Sequence, residues 1–549
     1  MSKCAGHGQT PLFIACLKNH IEIAKVLLDN NADIDRCTDD GASPLFIACQ
    51  NNHIEIVKVL LDNKADINKC TDDGLSPLYI ACQNNNLEIA KVLLHNNAHI
   101  DKGTGNFASP LFIACQQNFV EIVKLLLDNN ADMNRCAYSG ETPLIVACEN
   151  NHKQMIQLLL DNNADIHKCD NIGESPLFVA CLKNYVELVK VLIENKADVN
   201  QCAKHNVSPL FIACHMNHFE VVKILLEHKA DMTNCDNKKI SPLLIACIDN
   251  NSEIVKLLLD NKADINRIDS GASPLYFACL NNHIEIVQVL LDYKADINIA
   301  ALDGTSPLHI ACKKNHMEVV KILLNNNADI NKCRHEGISA LYTACFDNHI
   351  EIVQVLLDNM ADVNKAAVDG SSPLIVACQN NHIAIVKLLV DNKADVNTSA
   401  DNGSFPLLIA CRDNNIEIVR VLLDNKADIN KSENNGTSLL FVACLHNHVE
   451  TVKLLLDKKA DINKCAYDGA SPLFIACQQN HKEIVQILLD NKADLNKCTD
   501  DGLSPLLVAL KSFHTEIYHM LVQNGADACT TITNWMQRNR KTDTMNIYK

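Results

Sequence analysis

The stretch GASPLFIACQNNHIEIVKVLLDNKADINKCTDD, residues 41–73, reads as one complete structural unit. Ser43 stands where a helix N-cap belongs, and Pro44 takes the first helical position, where a missing N–H is no loss. Leu45, Ile47, Ala48 and Cys49 supply the apolar side of a short first helix. Asn51 and Asn52 close it, since Asn is the non-glycine residue that best tolerates a left-handed helix end. His53 opens a second helix in which Ile54, Ile56, Val57, Val59, Leu60 and Leu61 follow helical spacing, with Glu55, Lys58 and Asp62 facing outward. Ala65-Asp66-Ile67-Asn68 and the following Asp-Asp-Gly have turn chemistry, so the unit is helix, turn, helix, projecting β-turn.

Proline shows that the unit repeats. All 14 prolines lie on a grid running from Pro11, Pro44 and Pro77 to Pro505, in steps of 33 residues except the 32 between Pro242 and Pro274. Ala340 and Leu439 hold the two grid points without proline, giving sixteen units. A fixed period of this length signals a solenoid, because one unit cannot hide its apolar side alone.

Composition narrows the function. The 549 residues carry 49 Lys plus Arg against 66 Asp plus Glu, a net charge of −17, while 48% of the chain is hydrophobic. That balance argues against disorder, and against nonspecific affinity for nucleic acid or anionic lipid, which comes from clustered cations. Charged or amide residues interrupt every apolar run before about 18 residues, so no membrane span is expected. The start leads into a repeat without a basic segment and apolar core of a signal peptide, and a cytoplasmic location is expected, with the nucleus as an alternative.

With these residues in view, the chain resembles the ankyrin-repeat family: Gly-x-Ser/Thr-Pro-Leu, Ala-Cys, Asn-His and Leu-Leu-Asp-x-x-Ala-Asp-x-Asn recur sixteen times over about residues 1–528. The resemblance implies an all-α solenoid of stacked helix pairs with projecting β-hairpin fingers and a concave face that binds proteins. It also exposes departures. The family's His after Thr-Pro-Leu survives only as His309; Phe13, Tyr79 and Leu244 show what replaces it, so apolar packing is expected in its place. Glycine at the helix ends gives way to Asn after the first helix and mostly to Lys or Asn after the second, Gly525 being the survivor, at about 1 kcal/mol each.

The 26 cysteines fall into columns. Fifteen follow Ala in the first helix, from Cys16 and Cys49 to Cys477; ten, including Cys4, Cys37, Cys235 and Cys498, sit in fingers; Cys529 stands apart. Neighbouring helices lie roughly 8–10 Å apart, beyond the roughly 7 Å a disulfide spans, so the helix column reads as small core residues. Recurrent Cys-x-x-x-His, as in Cys312 and His316, offers two of a zinc site's four ligands, and no Cys-x-x-Cys occurs. Nearly every Ser, His, Asp and Cys recurs at a scaffold position, whereas an active site is one convergent constellation. No enzyme, cofactor or small-molecule substrate is expected.

Compared with one another, the units vary at the finger tips and at the pair after Ala-Cys, positions that in the ankyrin family line the groove. The seventh and eighth units stand out. Lys204, His205, Asn237, Lys238 and Lys239 occupy their tips, with His215, Met216, Ile248 and Asp249 on the adjoining first helices. This locally basic patch is expected to dock an acidic peptide or protein face, and the missing residue near 268–271 to bend the groove beside it. The leading expectation is a non-catalytic scaffold for protein or peptide partners; the alternatives are an adaptor delivering cargo to a modifying enzyme such as a ubiquitin ligase, and the ankyrin portion of a larger receptor, channel or enzyme. Residues 529–549, with Trp535, Arg538, Arg540 and Lys541, read as a short disordered tail or a docking helix.

Overall fold

In the computed structural model, residues 6–527 and Thr533 are described; Cys4, Cys529 and nearly all of the 529–549 tail lie outside them. Among the described residues thirty-two α-helices follow one another in pairs of seven and nine residues. In the unit quoted above, the first helix runs Pro44–Gln50, and the Ser43 Oγ accepts a hydrogen bond from the Phe46 N–H at 3.1 Å. The same cap recurs at Ser76, Ser208 and Ser339. The helix Pro406–Arg412 is started instead by Phe405, whose ring is buried with the Lys431 ammonium 4.8 Å from its centroid.

The second helix, Ile54–Asp62, is too short to persist alone in water, where about 12–15 residues are marginal. Packing holds it: Ile56, Val57 and Leu60 are fully buried, each contributing roughly 1.5–3 kcal/mol before entropy is set against it. In the first helix Leu45, Ala48 and Cys49 keep the i, i+3, i+4 pattern. Ile47, expected on the apolar side, is only half-buried here beside the buried Phe46, whereas in the sibling repeats Ile80 and Ile113 are buried together with Tyr79 and Phe112.

Both helices end as their sequence implies. Asn52 and Lys64 are left-handed, with φ of 59° and 67°, and Asn51 and Asn63 donate their side-chain amides to the carbonyls of Ile47 and Val59. Glycine remains only at Gly525 in the second-helix column, with φ of 98°.

The fingers differ from the expected hairpins: among the described residues they carry no strand, only isolated bridges such as that between Ser432 and Ser438. Each finger is too short for a ladder. It closes on itself, as where the Thr38 N–H donates to the Ala42 carbonyl at 3.0 Å, and takes a main-chain bond from the next finger, as from the Asp72 N–H to the Asp40 carbonyl at 3.2 Å.

The pairs form two compact units divided between Ser270 and Gly271, in the shortened finger, with eight pairs in each. At the start of the first, Ile23 and Val26 are exposed where Ile56 is sealed; at the end of the second, Phe513 is exposed. Among the described residues no helix is long and apolar enough to cross a membrane.

Candidate functional site

The residues singled out in the seventh and eighth repeats separate into a finger group and a helix group. Lys204, His205 and Asn206 form a single 3-10 turn in which His205 and Asn206 are left-handed, with φ of 64° and 62°. The Asn237 N–H donates to the His205 carbonyl at 2.9 Å, and the Asn237 amide reaches His205 Nδ1 at 3.3 Å. Lys239, with φ of 61°, occupies the place that Gly173 holds two fingers earlier. The next residue after Asn237, Lys238, has its N–H bound by Asp236 Oδ1 at 2.9 Å. Backbone bonds thus fix the tip, while the side chains of Lys204, Lys238 and Lys239 are exposed.

The helix group is less basic than its sequence suggests. His215 ends the helix Pro209–His215, and its Nδ1 lies 2.6 Å from Asp249 Oδ2, so any charge on the ring is matched. Met216 and Ile248 flank that pair, exposed and half-exposed respectively. Among the described residues no hydrogen bond or ion pair joins the two groups, and the positive character stands on the fingers alone.

Beside the fingers, Arg267 Nε donates to Asp269 Oδ1 at 2.7 Å and Nη2 reaches the Cys235 sulfur at 3.2 Å. Burial first, and the Asp269 carboxylate next, push the Cys235 thiol up, against the opposing Arg267. A protonated thiol is a poor nucleophile. In the helix column burial pushes Cys16 up to about 12 and the rest, such as Cys49 and Cys312, further still. The repeated serines are occupied as caps. The repeated histidines reach back to the preceding repeat, His316 Nδ1 lying 2.9 Å from the Cys279 carbonyl rather than toward Cys312. Among the described residues no three His, Cys, Asp or Glu side chains are placed to hold a metal ion.

One pair escaped the sequence reading. Phe107 and Tyr138, on adjacent fingers, stack with centroids 6.4 Å apart and planes 13° from parallel, and both are exposed. Phe107 holds φ of 60° in the column of Gly74 and Gly140, an outlier for a bulky residue. A Cβ on Gly103 would come 2.8 Å from the Phe107 carbonyl oxygen, which explains glycine where siblings carry a finger cysteine. The signal was a phenylalanine in a glycine column.

A family model described as ankyrin repeats (3 copies) matches residues 12–104, 78–170, 111–203, 163–236, 198–269, 230–301, 308–400, 374–466 and 461–532. A second, ankyrin repeats (many copies), matches residues 281–324. A search of curated proteins finds no match to the chain.

Proposed function

Because the chain belongs to the ankyrin-repeat family, we propose that it is a non-catalytic scaffold that holds protein partners against its finger tips and first helices, and that Lys204, His205, Asn237, Lys238 and Lys239 dock an acidic peptide or protein face. Repeats of this family are in general protein-interaction modules. The observation that carries the reading is the division of labour in each finger. Main-chain hydrogen bonds set its shape, as from the Lys204 N–H to the Ile172 carbonyl at 2.8 Å, and leave the tip side chains in solvent. A partner meets a surface already ordered, so little entropy is lost on binding. His215, Met216, Ile248 and Asp249 form the helix side of the same proposed site.

Reversing charge at Lys204, Lys238 and Lys239 together tests it. Affinity purification with mass spectrometry should show the variant losing a defined set of partners that the wild type retains, with circular dichroism unchanged. An identical partner list sinks the reading.

A further inference from the structure

The repeats serve as controls for one another, so a residue found once in its column is informative. Four such residues meet in the second unit. His309 is the one histidine in a column of Phe, Tyr, Ile and Leu; Thr343 is the one polar residue where siblings carry Ile, Val or Phe. Phe346 is the one phenylalanine after Ala-Cys, and Arg334 the one cation at its finger position. Single occurrences also lie elsewhere, as at Glu149 and Arg412 in the column of Phe346, but these four differ in being brought together. All four line one cavity of about 280 Å³, built by the fingers and first helices of three successive repeats.

Its walls are aromatic and its edge is acidic. Tyr276, Tyr342 and the exposed Phe346 supply rings, and among the described residues neither tyrosine hydroxyl makes a hydrogen bond. Asp303 and Asp347 supply carboxylates; Asp303 already accepts from the Thr305 N–H and Oγ1 at 2.9 and 2.7 Å, while Asp347 has no side-chain partner among the described residues. Lys313 and Arg334 bring positive charge, but Arg334 Nη2 is tied at 3.1 Å to Glu336, which is not part of the lining, so two lining carboxylates stand beside one cation without such a tie. The Arg334 Nε–H is buried without an acceptor.

A site near 300 Å³ is at the small end of ligand pockets and suits one side chain. Ring faces attract a cation, and more so beside a carboxylate. A carboxylate guest would meet Lys313 and an Arg334 already paired with Glu336, at the cost of two like charges in the lining, and the net charge of −17 steers cations inward. We propose that this cavity receives one cationic side chain, lysine or arginine, from a partner peptide. The proposal rests on the interaction reading above, yet it lies in the other unit from Lys204, so the two can fail separately.

Ile310 and Ile338 line the cavity and report on it. With isoleucine methyl groups labelled in the full chain, acetyl-Gly-Arg-Gly-amide and its Lys counterpart should shift both resonances saturably, and the Gln and Glu counterparts should bind about tenfold more weakly or worse. The stronger of the two cations identifies the guest. Thr343→Ile and Phe346→Gln each restore a sibling residue, so folding is kept, and each should weaken binding by about tenfold. No saturable shift, equal binding of the Glu peptide, or unchanged affinity in both variants overturns the proposal. If the arginine titration stands while reversal at Lys204, Lys238 and Lys239 loses no partner, only the finger reading fails.

Discussion

The Nδ1 of His349 lies 3.0 Å from the carbonyl oxygen of Cys312 in the preceding repeat. A carbonyl can only accept, so Nδ1 carries the hydrogen. The same tie joins His53 to Cys16 and His481 to Cys444, and Asn86 and Asn251 make it with their side-chain amides at 2.8 and 2.9 Å. Where a histidine opens a second helix in this way it is thus a latch between repeats; His349 makes no side-chain cap bond of its own. His349→Ala should lower stability by about 1 kcal/mol, and His349→Asn should recover most of it. Urea unfolding followed by circular dichroism compares them; equal losses would refute the latch.

Thiol chemistry should separate the two cysteine columns. Burial keeps the helix-column thiols protonated and covered, Cys16 near 12 and the others higher, so an alkylating reagent at neutral pH should leave Cys49, Cys312 and Cys411 untouched until denaturant is added. Exposed Cys498 should react first among the described finger thiols. Peptide mass mapping after a timed pulse reads the order, and early label on Cys49 would contradict the packing.

Backbone strain makes two opposite predictions. Met360 is highly exposed and left-handed, with φ of 64°, so Met360→Gly should raise stability by up to about 1 kcal/mol. Gly41 is also left-handed, but a Cβ there would come 2.6 Å from the Asp72 backbone nitrogen, so Gly41→Ala should cost more than about 1 kcal/mol. Thermal unfolding of both variants against wild type decides the signs.

His309 should make the array acid-sensitive. Its ring sits between Ser306 Oγ at 2.8 Å and the Ile338 carbonyl at 2.9 Å, and burial holds its pKa below the ordinary 6.5. As pH falls through that ordinary value the unfolded chain takes up a proton before the folded chain does. Stability is therefore complete above it and declines below it, at a rate of up to about 1.4 kcal/mol per pH unit. His309→Phe, which installs the residue of Phe13 and Phe46, should flatten that decline. Urea midpoints compared across acidic and neutral pH measure the slope; parallel profiles would exclude the effect.

Most of the scaffold was legible in the sequence because each feature is local. Ser43-Pro44 announces a capped helix, Asn52 a left-handed end, and the period of Pro44 and Pro77 the stack. Two readings changed where tertiary detail intervened: Ile47 is only half-buried while its counterparts Ile80 and Ile113 are buried, and the fingers are turns because the main-chain bonds between neighbours are too few to make a ladder. For the candidate surface, composition marked Lys204, Lys238 and Lys239 as basic but did not show that Asp249 answers His215. The cavity at Thr343 and Phe346 was hidden for another reason. Tyr276, His309 and Tyr342 belong to different repeats, and only stacking brings them together.

At the tips, adjacent fingers share a main-chain hydrogen bond, as where Asn171 donates to Ser139 and Asn237 to His205, whatever side-chain bonds are added to it. Such a stitch is blind to which side chain it carries. Evolution can therefore rewrite the lettering on one fingertip after another while the binding of the book stays sewn, and an engineer could do the same.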